Sequence, residues 1–173
     1  METETEPMIK IKTCNLVCAD GRIIEIPISI CMMSGLIKEM VNIEEEGETI
    51  ENIPLPNVRY EMLSKAIEYL KYHENYPAIP IERPLKTTKI NDLISAWDAS
   101  FINLEHTVLF ELIMTANYLD IKGLLELTCA KIASMIKDKS AVDIRKTFDV
   151  KESFTPDEIT RIQTENKWCV ETA

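Results

Sequence analysis

The spacing of apolar residues changes near Ile30, and this change limits the folds that the chain can adopt. Before Ile30, β-favouring residues flank the dipeptide Asp20-Gly21, a pattern typical of a hairpin turn between two strands. After it, apolar residues recur every three or four positions, as they do on one face of a helix. One further short strand is expected, ending at Leu55. Strands followed by a run of helices predict an α+β fold with an α-helical C-terminal half.

One long irregular segment divides the predicted helices. Residues 73–91 contain Pro77, Pro80 and Pro84 without a regular apolar spacing, so we expect a flexible loop there. Helices are predicted at 30–41, at 58–72 with Asn57 as N-cap, at 97–104, at 107–119 and at 121–137 with Asp120 as cap. Ser140 and Thr155 are each followed, three residues later, by a residue with a carboxylate side chain. This pattern predicts that a further helix begins at each of them.

Composition excludes several classes of partner. Lys and Arg number 19 against 29 Asp and Glu, and the net charge of −10 repels a phosphate backbone, so we expect no nucleic-acid partner.

No apolar stretch approaches the roughly 20 residues that cross a bilayer, and the acidic start has no signal-peptide pattern. The five cysteines are odd in number and widely spread, which is typical of free thiols in a reducing compartment. We therefore expect a soluble cytoplasmic and nuclear protein.

The sequence contains no pattern typical of an enzyme or a cofactor site. His73 and His106 are the only histidines, and neither has a second histidine at helical spacing, so no metal site is predicted. Four glycines are too few for a phosphate-binding loop. We predict no catalytic residue, no cofactor and no metal.

The C-terminal third is unusually apolar for two short helices. Such helices are stabilised mainly by packing, yet they have little protein around them to cover every face. A large exposed apolar patch usually marks an interface, so we assign about half of these residues to a partner. The residues are Ile144, Phe148, Val150, Phe154, Ile159, Ile162 and Trp168.

A longer pattern resembles a known family. The run at 109–129, with Ala116-Asn-Tyr-Leu-Asp120 at its centre, is similar to a helix pair of the S-phase kinase-associated adaptor family, whose members join a cullin scaffold to F-box proteins. Shorter similarities occur at 19–21, 53–58, 97–98, 136–140, 143–148 and 165–169. The resemblance implies a BTB/POZ-like domain at 8–137, a small sheet flanked by helices, and an F-box-binding two-helix extension at 138–173.

The resemblance also implies which residues meet each partner. A cullin would contact Asn117 and Tyr118. An F-box protein would contact Leu109, Phe110, Leu125, Ile132, Ile136, Phe148, Val150, Phe154, Ile159 and Trp168. The implied function is a non-catalytic adaptor of a ubiquitin ligase.

Two segments depart from the family pattern. Residues 81–90 are less acidic than the family's loop, and residues 105–108 replace its usual Asp-Gln-Gly-Thr type of turn beside the cullin-facing helix. The altered turn leaves a second interpretation open, in which the chain is a structural protein that self-associates or joins an F-box partner without a cullin. The sequence does not identify the F-box proteins or their substrates.

Overall fold

The computed structural model describes residues 12–41, 49–151 and 154–167. Its contacts divide the chain into two compact units, residues 1–137 and residues 138–173. The apolar positions Ile9 and Ile11, the acidic run at 44–48 and Trp168 lie outside the described residues.

The first unit contains a three-stranded sheet in the order β2-β1-β3. Strand β1 (Thr13–Cys18) pairs antiparallel with β2 (Ile23–Pro27) and parallel with β3 (Thr49–Leu55). The predicted hairpin is confirmed, and Gly21 adopts a φ of 80° in its turn, a conformation that favours glycine. Every second residue of β1 is buried, so one face of the sheet packs on the helices.

Helices of the first unit flank this sheet, and the order of all the helices along the chain agrees with the sequence prediction. Helices α3, α5 and α6 pack together in the first unit. A short 3₁₀ turn, Ile90–Asp92, ends the long loop. The helices are α1 (Ile28–Cys31), α2 (Gly35–Met40), α3 (Tyr60–His73), α4 (Ala96–Phe101), α5 (His106–Tyr118), α6 (Lys122–Ile136), α7 (Ala141–Thr147) and α8 (Pro156–Glu165).

The predicted single helix at 30–41 is wrong, because Ser34 divides it into α1 and α2. The Ser34 hydroxyl accepts a hydrogen bond from the Ile37 amide and donates one of 2.5 Å to the Leu119 carbonyl at the end of α5. Gly35 lies directly against the Asp120 side chain, where a Cβ would overlap the carboxyl group. These contacts hold the start of α2 against the turn between α5 and α6.

Two predicted helix caps are also wrong. Helix α3 begins after Arg59, not Asn57, and α6 begins after Ile121, not Asp120; neither N-cap makes a side-chain hydrogen bond. Asp120 instead adopts a φ of 49° in the tight turn before α6. These helices are held by packing, since Leu63 of α3 and Leu124 of α6 are completely buried.

A buried pair, His73 and Asp98, joins the end of α3 to α4. The His73 Nε2 atom lies 3.0 Å from Asp98 Oδ1, and Nδ1 lies 2.6 Å from the Tyr76 carbonyl oxygen. Both ring nitrogens face oxygen acceptors, so filling both hydrogen bonds requires a proton between the imidazole and the carboxylate. The Trp97 ring stacks on Tyr72 beside the pair, with centroids 3.9 Å apart, and helps to exclude water.

We predict that Asp98→Ala lowers the free energy of unfolding by about 1–3 kcal/mol, because it leaves a buried imidazole nitrogen without its hydrogen-bond partner. Urea denaturation followed by tryptophan fluorescence measures the loss. Asp92→Ala is the control, since Asp92 is exposed in the neighbouring 3₁₀ turn and should change stability by less than about 0.5 kcal/mol. Equal effects of the two substitutions would contradict a stabilising role for the buried pair.

The two helices of the second unit begin at capped residues, as predicted. Ser140 accepts a hydrogen bond from the Asp143 amide at the start of α7. Thr155 accepts one from the Glu158 amide, while the Glu158 carboxylate accepts one of 2.8 Å from the Thr155 amide, forming a capping box at the start of α8. Among the described residues of α7 and α8, none is buried.

We predict that the start of α8 loosens at acidic pH. Hydrogen bonds from Thr155 hold the pKa of Glu158 below its ordinary value of 4.5. The stabilisation is therefore fully present above that value and is lost as the pH falls through the lower pKa of the folded state. The protection factor of the Thr155 amide, which is the intrinsic exchange rate divided by the rate measured by NMR, should fall on acidification. In Glu158→Gln, which keeps an acceptor that does not titrate, the protection factor should not change with pH in this way, and the same fall in this variant would contradict the assignment.

Candidate protein-binding surfaces

A groove of about 700 Å³ runs along one face of α6 in the first unit and is named here the α6 groove. The helix contributes Lys122, Leu125, Glu126, Cys129, Ala133 and Ile136, among others. The opposite side is formed by Ile81, Arg83, Pro84 and Leu85 of the long loop. Most of these side chains are apolar or have long apolar stems, so the groove suits an apolar partner segment.

Three residues of α6 are predicted to contact an F-box protein. Leu125 and Ile136 line the α6 groove, and 37% of Ile136 is exposed. Ile132 is half-buried and does not line the groove. The structure therefore brings two of the three residues to one apolar surface.

Of the two predicted F-box contacts on α5, Leu109 needs correction and Phe110 stays a prediction. Leu109 is completely buried in the first unit, so its side chain offers no surface to a partner. Phe110 is 41% exposed, but it does not line the α6 groove. It lies four residues before Met114 and seven before Asn117, a spacing that places all three on one side of α5.

This exposed side of α5 is a second candidate surface, named here the α5 face and defined by Phe110, Met114 and Asn117. Met114 is 68% exposed, an unusually high value for a large apolar side chain within a helix. Asn117 is exposed, whereas Tyr118 is half-buried and packs on the core. The residues predicted to meet a cullin thus lie beside apolar residues that the sequence analysis had not assigned to that partner.

An ion pair connects α5 to the neighbouring helix. Glu111, on the exposed side of α5, pairs with Arg59 at the N-terminus of α3. Both side chains are largely exposed, so the pair contributes little to stability. It adds a polar edge to the α5 face.

The second unit presents apolar residues of its own. Val150, Phe154 and Ile159 are exposed and Phe148 is half-buried, as an interface would require. The Arg145 guanidinium lies 5.0 Å from the centroid of the Phe154 ring, a cation–π contact within this unit. Trp168, the remaining predicted contact, lies outside the described residues.

Within residues 12–41, 49–151 and 154–167, no group of three or more His, Cys, Asp or Glu side chains is arranged to hold a metal ion. No helix in the same residues is long and apolar enough to span a membrane.

Comparison with known families assigns the chain. Residues 7–75 match the Skp1 family, tetramerisation domain, which is its POZ-type domain, and residues 122–169 match the Skp1 family, dimerisation domain. The chain belongs to the Skp1 family. The predicted α+β fold, with a small sheet flanked by helices, is thereby confirmed for this family member.

Similar proteins cover nearly the whole chain. An S-phase kinase-associated protein 1 homolog of Tetrahymena thermophila is 45% identical over 157 residues, which are 90% of this chain and 93% of the relative. The E3 ubiquitin ligase complex SCF subunit sconC of Aspergillus flavus is 42% identical over 91% of this chain and 96% of its own length. The sconC subunit of Aspergillus terreus is 43% identical over 88% and 93% respectively.

We predict that, of the four cysteines in the described residues, Cys129 reacts first with a thiol reagent in the folded protein. It is exposed in the α6 groove, whereas Cys14, Cys18 and Cys31 are buried, and burial raises the pKa of the Cys18 thiol. Brief iodoacetamide treatment followed by peptide mass spectrometry measures the order of modification among these four thiols. Modification of any of the three buried cysteines before Cys129 would contradict the described packing.

Proposed function

We propose that this protein is a non-catalytic adaptor of an SCF-type ubiquitin ligase, active in the cytoplasm and nucleus, that binds an F-box protein through the α6 groove and a cullin through the α5 face. The observation that carries the proposal is the presence of two separate apolar surfaces on a Skp1 family unit. The names of the similar Aspergillus proteins, which describe SCF ligase subunits, support the same assembly.

The F-box side of the proposal rests on the composition of the groove. Leu125 and Ile136 offer large apolar contacts, while Cys129 and Ala133 between them are small. A helix laid in such a groove buries its apolar side chains and approaches α6 closely. Val150, Phe154 and Ile159 of the second unit are exposed apolar residues that the family resemblance assigns to an F-box partner.

The cullin side rests on the α5 face. Exposed Phe110 and Met114 would supply the apolar contact area, and the Asn117 amide would supply directional hydrogen bonds. Asn117 and Tyr118 are also the positions at which the family resemblance implies a cullin contact.

An adaptor of this kind accelerates a reaction that other subunits perform. By holding a substrate receptor and a cullin on one chain, it raises the effective concentration of the substrate near the ubiquitin-carrying subunit. The rate would then depend on both affinities and on no reactive group of this chain.

Two arginine substitutions separate the surfaces, and each is the control for the other. We predict that Cys129→Arg, which places a charge in the α6 groove, weakens binding of an F-box motif at least about tenfold, or 1.4 kcal/mol, and leaves cullin binding unchanged. Met114→Arg should have the reverse effect. Calorimetric titration of each variant with an F-box motif and with a cullin N-terminal region measures both affinities.

One result would contradict the proposed function, and another would contradict the assignment of partners to surfaces. If the wild-type chain binds neither probe, the proposed function fails. If both arginine variants weaken the same partner and spare the other, the assignment of partners to surfaces fails. Circular dichroism should show that both variants remain folded, since both residues are exposed.

Self-association is a second candidate function. It is favoured by the descriptions of the two matched domains, dimerisation and tetramerisation, and by the exposed apolar residues of both units. Light scattering across a range of concentrations discriminates between the candidates. A chain that stays monomeric at high concentration excludes this one.

A further inference from the structure

The long loop forms a wall of the α6 groove, which the sequence analysis had not indicated. This loop wall is defined here as residues 81–85. Arg83 Nη2 donates a hydrogen bond of 2.9 Å to Glu126 Oε1 of α6, while Ile81 and Leu85 are half-buried against the core. The Arg83–Glu126 pair is mostly exposed and adds little stability, but it orients the loop along the helix.

The loop is fastened on both sides of the wall. Before the wall, His73 of the buried His73–Asp98 pair also contacts the Tyr76 carbonyl oxygen. Ala78 lies close to α6, since a Cβ added at Gly123 would be 3.8 Å from the Ala78 side chain. After the wall, Ile90 is 4% exposed in the 3₁₀ turn. A wall anchored in this way meets a partner with little ordering cost.

The size and shape of the groove fit a helix. Its α6 side runs from Lys122 to Ile136, which is roughly 21 Å at 1.5 Å per residue, or about four helical turns. Ala133, between these ends, lets a second helix approach to the usual interaxial distance of about 8–10 Å.

The charges at the rim indicate the chemistry of that helix. Arg83, Lys122 and Lys137 outnumber Glu126 among the lining residues, although the whole chain carries a net charge of −10. This local excess of positive charge complements a segment that has an apolar face and acidic flanks.

We infer that the loop wall is a second contact segment for the F-box helix and that it selects partners whose apolar helix has acidic flanks. The inference rests on the proposed function. Neither family match includes residues 76–121, so the wall belongs to a part of the chain that the matched domains leave out. One side of the groove thus comes from a helix inside a matched domain, and the other comes from a loop between the two matched domains.

The test compares wall variants with a neighbouring control. The probes are one F-box motif with acidic residues flanking its apolar helix and the same motif with those residues replaced by serine. The double variant Ile81→Ala/Leu85→Ala should weaken binding of the acidic motif at least about fivefold, which corresponds to roughly 1 kcal/mol. Glu82→Ala, in the same loop but exposed and outside the groove, should change it by less than about twofold.

A third variant changes an exposed residue, so that weaker binding cannot be attributed to a disturbed fold. Arg83 is largely exposed, so Arg83→Glu should leave the thermal unfolding temperature nearly unchanged. It should weaken the acidic motif at least about fivefold at low salt and the serine motif by less than about twofold, because the lost attraction is electrostatic.

The outcomes separate this inference from the proposed function. If Cys129→Arg abolishes binding while the wall variants bind like the wild type, the inference is overturned and the proposed function stands. Tighter binding by the wall variants would also overturn it, because the loop would then compete with the partner. If Cys129→Arg instead disrupts a dimer of the free chain, the occupant of the groove is a second copy and both proposals fail.

Discussion

Helix α6 is apolar on more than one side, and the core covers only one of them. Leu124 and Leu127 are buried in the first unit, whereas Leu125 and Ile136 line an open groove. Because apolar surface left in water costs free energy, a second covering segment stabilises the helix. This constraint explains why the groove combines a family helix with a nearby loop, and why its remaining opening suits a partner.

The buried His73–Asp98 pair determines where that loop begins. It ties the last residue of α3 to α4, and the stacked Tyr72 and Trp97 rings cover it. The imidazole and the carboxylate meet each other's hydrogen-bonding needs away from water, which makes their geometry specific. The loop therefore leaves α3 in a fixed direction, toward the residues that form the groove wall.

Local sequence signals predicted much of this fold because they depend on neighbouring residues alone. The Asp20-Gly21 hairpin and the Thr155 capping box are of this kind. Ser34 divided a predicted helix because its hydroxyl bonds to Leu119, a partner distant in sequence. Burial of Leu109 and the loop wall were missed for the same reason, since packing between distant segments leaves no local pattern. Resemblance to the family identified Asn117 and Tyr118 as candidate cullin contacts. The geometry of α5 then placed Asn117 on the same side of the helix as Phe110 and Met114.

The central claim is that one chain holds two different partners at once through two separate surfaces. Size-exclusion chromatography coupled to light scattering, applied to a mixture of this protein, an F-box motif and a cullin N-terminal region, tests it directly. The account predicts a single species whose mass equals one copy of each component. Two binary complexes, with no species containing all three components, would show that the partners compete for one surface and would contradict the account.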